Sequence, residues 1–457
     1  MSFMPVMLWT DRLILLLVVV GICSAWYVHR RPHLLQPWRR VAKSRVGMVS
    51  LLVLSLFVLV GLLDSMHYRA AVPEKNSSPM IYSPEVLSVF DTLVSGLRTH
   101  TEKTYSAPLS AYLYAKESIQ TTDGKLMRDY PRLKYGGAHL DDPEHQLVED
   151  VSKRALAGAA IGALAVLLLT GGIIKSCPAV RKSRPLRSVF AAGLILGVLV
   201  GAVINLAMVY HVLGTDKVGQ DILYLSLKSI RTGLVIGTVT TLVMLPFALL
   251  LGIAAGYFRG WVDDAIQYLY TVLSSIPSVL LIAAAVLMIQ VMIEKHADWF
   301  DVADKRADAR LLCLCLILGV TSWTGLCRLL RGETLKLREM EYIQAAQAFG
   351  VSSMRILTRH ILPNVMHIVL ISVVMDFSAL ILAEAVLSYV GVGVDPNTIS
   401  FGTMINAARL EMGRDPAVWW SLASAFGFML VLVLAANLFA DVVRDAFDPR
   451  LNRNEVA

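Results

Sequence analysis

The sequence predicts an all-α polytopic membrane protein, and three observations carry that prediction. Of its 457 residues, 56% are hydrophobic and 17% charged, against roughly 45–50% apolar and about 25% charged in soluble domains. Nine stretches approach or reach the roughly 17–25 apolar residues that a membrane-crossing helix needs: 13–28, 46–63, 155–175, 189–211, 232–257, 266–293, 311–330, 366–393 and 418–440. Most charges lie between those stretches. An apolar excess spread over the whole chain excludes a soluble enzyme, a secreted disulfide scaffold and a disordered adaptor. The five cysteines (Cys23, Cys177, Cys313, Cys315, Cys327) lie in or beside apolar runs, which argues against a disulfide framework.

The first span is short, and the cluster Arg30, Arg31, Arg39, Arg40, Lys43 and Arg45 follows it rather than preceding it. That order marks a retained anchor, not a cleaved signal peptide. Residues 64–154 are too polar to span, with eleven basic residues, thirteen acidic residues and seven tyrosines. Their length suits a small domain. Within it Val86, Leu87, Val89, Phe90, Leu93, Val94 and Leu97 recur at spacings that predict an amphipathic helix. Ser118 to Glu144, rich in Asp, Gly and Pro, reads as loop. Pro246 and Pro277 fall inside two long spans, where a kink is tolerated. No internal repeat or low-complexity tract interrupts the chain.

Orientation follows from the basic residues of the connections. Segments 29–45, 176–188, 258–265, 331–365 and 441–457 hold 19 basic and nine acidic residues, whereas 1–12, 212–231, 294–310 and 394–417 hold ten and eleven. The first set is expected in the cytoplasm, which puts the N-terminus outside and the C-terminus inside. The basic stretches 30–45 and 181–187 flank apolar spans, so topology and anionic lipid explain them better than nucleic acid does.

The most informative segment is EYIQAAQAFGVSSMRILTRHILPN, Glu341 to Asn364. It reads as helix, break, helix. Tyr342 to Phe349 suit a short helix, and Ala345, Ala346 and Ala348 give it low-profile surfaces. Gly350 sits where a helix end needs left-handed geometry. Ser352 and Ser353 suit the cap of a second helix through Arg359, and Pro363 stops it or starts the next span. A small-sided helix of this kind fits a groove on a soluble partner.

This segment resembles the signature loop of ABC importer permeases: Glu-Ala-Ala, three residues, Gly, then a spacer to Leu-Pro. Ala345, Ala346, Gly350, Leu362 and Pro363 match at the family spacing, with Gln344 in place of the usual Glu and with Glu339 and Glu341 out of register. LGTDKVGQD (Leu213–Asp221), AGYFRGWVDD (Ala255–Asp264), LAEAVLSYVGVGV (Leu382–Val394), SFGTMI (Ser400–Ile405) and VVRDAFDPR (Val442–Arg450) are similar, in order, to the dipeptide/oligopeptide branch. The resemblance covers about half the chain. It implies an ABC importer type I permease core with extra N-terminal helices and an extracytoplasmic inserted domain.

The expected layout is an N-terminal anchor and second transmembrane helix (1–63), an extracytoplasmic domain (64–154), two additional helices (155–211), the permease core (212–450) with its coupling loop (331–365), and a cytoplasmic tail (451–457). Such permeases have six spans; five lie in the matching portion here. The 46–63 span resembles the family's first helix, which makes 13–28 an added anchor.

The resemblance further implies a transport subunit of the bacterial inner membrane rather than an enzyme. Its expected partners are a second homologous permease, two cytoplasmic ABC ATPase subunits, an extracytoplasmic solute-binding protein and membrane lipid. The chain has no G-x-x-x-x-G-K-[ST] phosphate loop. ATP and Mg are therefore expected on the partner ATPases, with no cofactor or metal on this chain. The implied ATPase-coupling residues are Glu341, Ala345, Ala346, Gly350, Leu362 and Pro363.

Two carboxylates inside one span, Asp376 and Glu384, are candidates for the translocation path, since ionisable groups in a membrane are costly and often functional. Bonding to neighbouring helices is the competing explanation. His139, Asp141, Asp142, Glu144 and His145 lack a metal-ligand spacing and read as a solvated loop. Asp298, Asp301, Asp304 and Asp308, interspersed with Lys305, Arg306 and Arg310, read as a solvated helix face. Nickel or another small solute is an alternative cargo. A secondary transporter or channel is the alternative class, and would call for repeats or charges on several spans. A receptor or scaffold built on 64–154 is a third reading.

Overall fold

The computed structural model describes residues 3–71, 82–120, 126–176, 184–296 and 303–447. The chain begins with β1 (Phe3–Val6), α1 (Trp9–His29), α2 (Pro32–Lys43), α3 (Arg45–Asp64), β2 (His67–Ala70), β3 (Leu87–Ser88), α4 (Val89–Leu93) and α5 (Ser95–Thr99). Next come β4 (Glu117–Gln120), β5 (Leu126–Asp129), α6 (Pro143–Ser176) and α7 (Arg184–Ala207). The rest of the described chain is helical: α8 (Ile222–Phe258), α9 (Gly260–Ser275), α10 (Ser278–Lys295), α11 (Ala303–Ser322) and α12 (Thr324–Arg338). It ends with α13 (Glu341–Ala348), α14 (Ser353–Ile356), α15 (Leu362–Val390), α16 (Phe401–Glu411) and α17 (Trp420–Phe447). Nine stretches of helix among the described residues are long and apolar enough to cross a membrane.

Several boundaries differ from the sequence reading. The 266–293 span is two helices, because Pro277 drives Ile276 into extended geometry (φ −90°, ψ 131°) and α9 stops there. Pro246, by contrast, stays inside α8. Helix α7 ends at Ala207 rather than at residue 211. The amphipathic helix expected over Val86–Leu97 is instead β3, α4 and α5: Ser88 and Asp91 form a capping box that starts α4, and Val94 (φ −106°, ψ 29°) breaks it. Within the stretch read as loop, β4 and β5 pair antiparallel and α6 begins at Pro143.

The chain divides into two compact units. One comprises Met1–Met7, Arg39–Thr232 and Ile399–Ala435. In it β1, β2 and β3 form an antiparallel sheet in that order. Helices α6 and α7 run as a tightly packed pair, as small residues permit: a Cβ on Gly201 would stand 2.9 Å from Gly162 Cα, and one on Gly158 2.7 Å from Asn205 Cβ. Asn205 Nδ2 donates to the Arg154 carbonyl across the same seam at 2.7 Å.

The other unit comprises Leu8–Trp38, Gly233–Thr398 and Ala436–Ala457. One core joins Met244, Ala248 and Ile253 of α8 to Leu326 and Leu330 of α12 and to Ile343, Ile356, Ile361 and Val365. A second joins Val235, Ile236 and Val239 to Leu311, Leu314 and Leu318 of α11, and Leu13 and Ile14 of α1 pack on it. The 46–63 span resembles the family's first helix; here α1 packs on α11 of the matching portion, while α3 runs along α7 and α4 and ends with Asp64 3.7 Å from Lys228 of α8. The reason is polar. Asp308, expected on a solvated face, is 5% exposed and accepts from the Trp9 and Thr10 amides at 2.8 and 3.3 Å and from the Thr10 hydroxyl. It caps the start of α1 from another helix. Asp298 and Asp301 lie outside the described residues.

Asp308→Ala leaves those amides without an acceptor, at a cost of about 1–3 kcal/mol. The melting temperature of the detergent-solubilised protein should fall, and that of an Asp304→Ala control, at an exposed position, should not.

Candidate functional site

The Glu341–Asn364 segment is a rigid projection held from behind. Helix α13 closes in a Schellman motif: Val351 N donates to the Ala346 carbonyl and Gly350 N to that of Gln347, both at 3.0 Å. Gly350 has φ +74°, which a residue with a Cβ adopts only at a cost. Ile343, Ile356 and Ile361 are fully buried and nail the projection to the α8–α12 core. Asn364 Nδ2 donates to Tyr342 Oη at 3.2 Å and to the His360 carbonyl at 2.7 Å, joining the two limbs. Gln344, in the position of the usual Glu, donates to the Glu339 carbonyl at 3.3 Å.

On the face turned away from the core, Glu341, Ala345, Gly350 and Pro363 are exposed, and Ala346 and Leu362 are half-buried against the core. The same face carries large apolar side chains that the sequence reading passed over. Phe349 is 87% exposed and Met354 70%, with Met340 and Tyr342 also open. The missed signal was an aromatic residue directly ahead of the turn glycine, where a helix end leaves its last side chain unshielded. The second limb also differs from expectation. Ser352 makes no side-chain cap, α14 lasts four residues, and a π-helical turn over Leu357–Ile361 runs straight into α15. A wide turn suits Pro363, which has no amide hydrogen to donate back along the helix.

Asp376 and Glu384 lie on α15, about 12 Å apart at 1.5 Å per residue, and well beyond the projection. Glu384 is 1% exposed and accepts from Ser388 Oγ at 2.6 Å, an intrahelical bond. Asp376 is half-buried. His139 and His145 engage Asp150 and Asp142, each at 2.9 Å. No group of three or more metal-ligating side chains occurs among the described residues.

The Leu213–Asp221 motif forms a second polar centre. Gly214 and Gly219 have positive φ, and Asp216 Oδ1 accepts from Val218 N at 2.9 Å and Gln220 N at 2.8 Å. Asp221 Oδ1 caps α8 through Leu223 N at 2.8 Å, and its Oδ2 accepts from His211 Nδ1 at 2.7 Å. His211 Nε2 stands 3.4 Å from Glu102, which itself accepts the amides of Lys134, Tyr135 and Gly136. Burial alone would lower the His211 pKa, but the bond to Asp221 and the pairing with Glu102 push it up to about 9. Burial alone would raise Glu102, yet the bonds from His211 and the three amides hold it down at about 2.

The signs follow by linkage. A raised His211 stabilises the fold fully below pH 6.5 and loses that contribution as pH climbs to about 9. A depressed Glu102 contributes fully above pH 4.5 and loses it toward about 2. The melting temperature should therefore fall between pH 6.5 and 9 in the wild type, and His211→Gln should flatten that limb.

Residues 248–453 match the family model described as binding-protein-dependent transport system inner membrane component. The chain is 34% identical over 239 residues to the oligopeptide transport system permease protein OppC of Mycobacterium bovis, covering 52% of this chain and 76% of that protein. It is 33% identical over 243 residues to the glutathione transport system permease protein GsiD of Pectobacterium atrosepticum, covering 53% and 73%. It is 28% identical over 244 residues to the dipeptide transport system permease protein DppC of Lactococcus lactis, covering 53% and 65%. Among solved structures, an inward-facing form of the MetNI methionine ABC transporter aligns with 49% of this chain and 97% of its own at a TM-score of 0.38 and 15% identity. With motifs in order across half its length and relatives matched over most of theirs, this chain belongs to the family of binding-protein-dependent transport system inner membrane components, multi-pass subunits that carry transport rather than catalysis.

Proposed function

We propose that the chain is the permease subunit of an ATP-driven ABC importer for dipeptides and oligopeptides in a bacterial inner membrane. The observation that carries this reading is the braced projection at Glu341–Asn364: its core side is locked by three buried isoleucines, while its outer side offers Phe349, Ala345 and Gly350. A rigid knob with an apolar tip transmits displacement instead of absorbing it. Docked on an ATPase, it converts nucleotide-dependent closure into movement of the helices behind it. Glu341, Ala345, Ala346, Gly350, Leu362 and Pro363 frame that contact.

ATP and Mg belong to two partner ATPase subunits. A second homologous permease completes the path, and an extracytoplasmic binding protein delivers the peptide. The excess of basic residues in one set of connections supports a cytoplasmic C-terminus, with the N-terminus and residues 64–154 outside. Of the two α15 carboxylates, Asp376 suits the path, where it would meet a peptide's amino terminus, since Glu384 is already bonded within its helix.

Gly350→Val strains the turn by roughly 1–2 kcal/mol and redirects Phe349. Peptide uptake by the reconstituted complex should collapse while the complex still hydrolyses ATP. Phe349→Ala should weaken ATPase binding by about tenfold, the equivalent of about 1.4 kcal/mol. A titration showing unchanged affinity, with uptake at the wild-type rate, would overturn the docking assignment.

A further inference from the structure

The turn between α8 and α9 holds an uncommon backbone. Arg259 has φ +56° and ψ −166°, a region that suits glycine and is costly for any residue with a Cβ. Its amide still donates to the Ala255 carbonyl at 3.4 Å, so α8 runs up to the turn itself. Gly260 follows, also with positive φ and with open space where a Cβ would stand. A second glycine at 259 would make the same turn without strain. The backbone gains nothing from an arginine there; what the position gains is the side chain.

That side chain reaches across 80 positions of chain to Glu339, its Nη2 donating to Glu339 Oε1. Glu339 closes α12 and stands two residues ahead of α13. Its carbonyl accepts from Gln344 Nε2 of α13 at 3.3 Å, so one residue is tied to the turn and to the projection at once. The far end of α13 is held from the same place. Gln347 Nε2 donates to Tyr257 Oη at 3.4 Å, and the Arg338 guanidinium lies 5.9 Å from the Tyr257 ring. Tyr257 and Arg259, two positions apart, therefore grip α13 ahead of its start and near its end. The neighbouring carboxylate of α9, Asp263, is already taken by both nitrogens of Arg331.

We propose that Arg259 is a positioning residue: through Glu339 it sets the stance of the projection and passes the projection's displacement into the α8–α9 turn. The buried isoleucines hold the projection by contact, which has no direction; a charged hydrogen bond has one. Both partners of the pair are about half exposed, at 44% and 57%. Such a pair adds little to stability, so it can be broken without unfolding the chain. The consequence for transport rests on the docking assignment above, whereas the positioning itself does not.

The test is a spin–spin distance measurement on the full-length protein. Nitroxides are carried on genetically encoded keto side chains at Asp264 and Ser352, both exposed, which leaves the native cysteines in place. The unsubstituted pair should give one narrow distribution. Glu339→Arg and Arg259→Glu should each broaden it at an unchanged melting temperature, and the two exchanged together should narrow it again. Arg259→Gly keeps the turn, relieves its strain and removes the side chain; it too should broaden the distribution. A narrow distribution in Arg259→Gly means that the turn alone sets the stance, and overturns the proposal, as does a double exchange no narrower than its singles. In proteoliposomes of the complete transporter, with radiolabelled trialanine as probe, ATP hydrolysed per peptide imported should rise about threefold in Arg259→Gly and return in the double exchange. An unchanged ratio beside a broadened distribution overturns the transmission. The distance measurement uses neither ATPase nor cargo, so it decides the positioning even where the docking assignment fails.

Discussion

Helix ends are the controlling constraint in this molecule. Inside lipid the backbone of a spanning helix satisfies itself, but the first amides and last carbonyls of every helix do not. Each end must reach water, reach a headgroup, or find an acceptor on the protein. Asp308 supplies the acceptor for α1, Asp221 for α8, and Ser400 for α16, while a left-handed glycine closes α13. The residues that terminate helices are therefore also the residues that decide which helix packs on which. Asp308 is the clearest case. Its carboxylate makes α1 part of the unit that holds the projecting loop, a role that hydrophobicity alone would not distinguish from that of α3.

A second consequence concerns charge. Glu102, His211 and Asp221 form a buried row in which a cation sits between two anions, each anion also accepting backbone amides. Buried ions are costly unless paired and hydrogen-bonded, and here the bond from His211 Nδ1 to Asp221 and the amides on both carboxylates offset that cost. The row stitches the 100–137 region to the loop that leads into α8, reinforced by Ser106 and Thr215 at 2.6 Å and by the Trp420 indole on the Thr215 carbonyl at 3.0 Å. The glycines of that loop serve the same end. A Cβ at Gly214 would lie 2.5 Å from the Ser106 carbonyl.

The projection at Glu341–Asn364 gives two jobs to two sets of side chains. Apolar side chains at Ile343, Ile356 and Ile361 hold it, and apolar side chains at Phe349 and Met354 are free to touch something else. An exposed phenylalanine beside a left-handed glycine is unstable against collapse unless the turn is stiff, and the two bonds of the Schellman motif make it so. The bidentate pair of Arg331 with Asp263, at 2.6 and 2.7 Å, braces α12 against α9 behind it.

Composition and periodicity by themselves determined that the chain is a multi-pass membrane protein with nine segments apolar enough to cross a membrane, and that a turn glycine stands at 350. Those features depend on local chain properties: transfer free energy per segment, and the steric freedom of one residue. Packing decided the rest. Whether α1 or α3 joins the second unit turns on Asp308 meeting Trp9 and Thr10 across nearly 300 positions of chain. That the 266–293 run is two helices turned on how Ile276 answers Pro277, when the same residue type at 246 is absorbed within α8. The exposure of Phe349 was likewise invisible, because a phenylalanine near a helix end is buried or bare according to what the neighbouring limb covers. For α1 the deciding partner is distant in sequence, and no short window along the chain contains both Asp308 and Thr10.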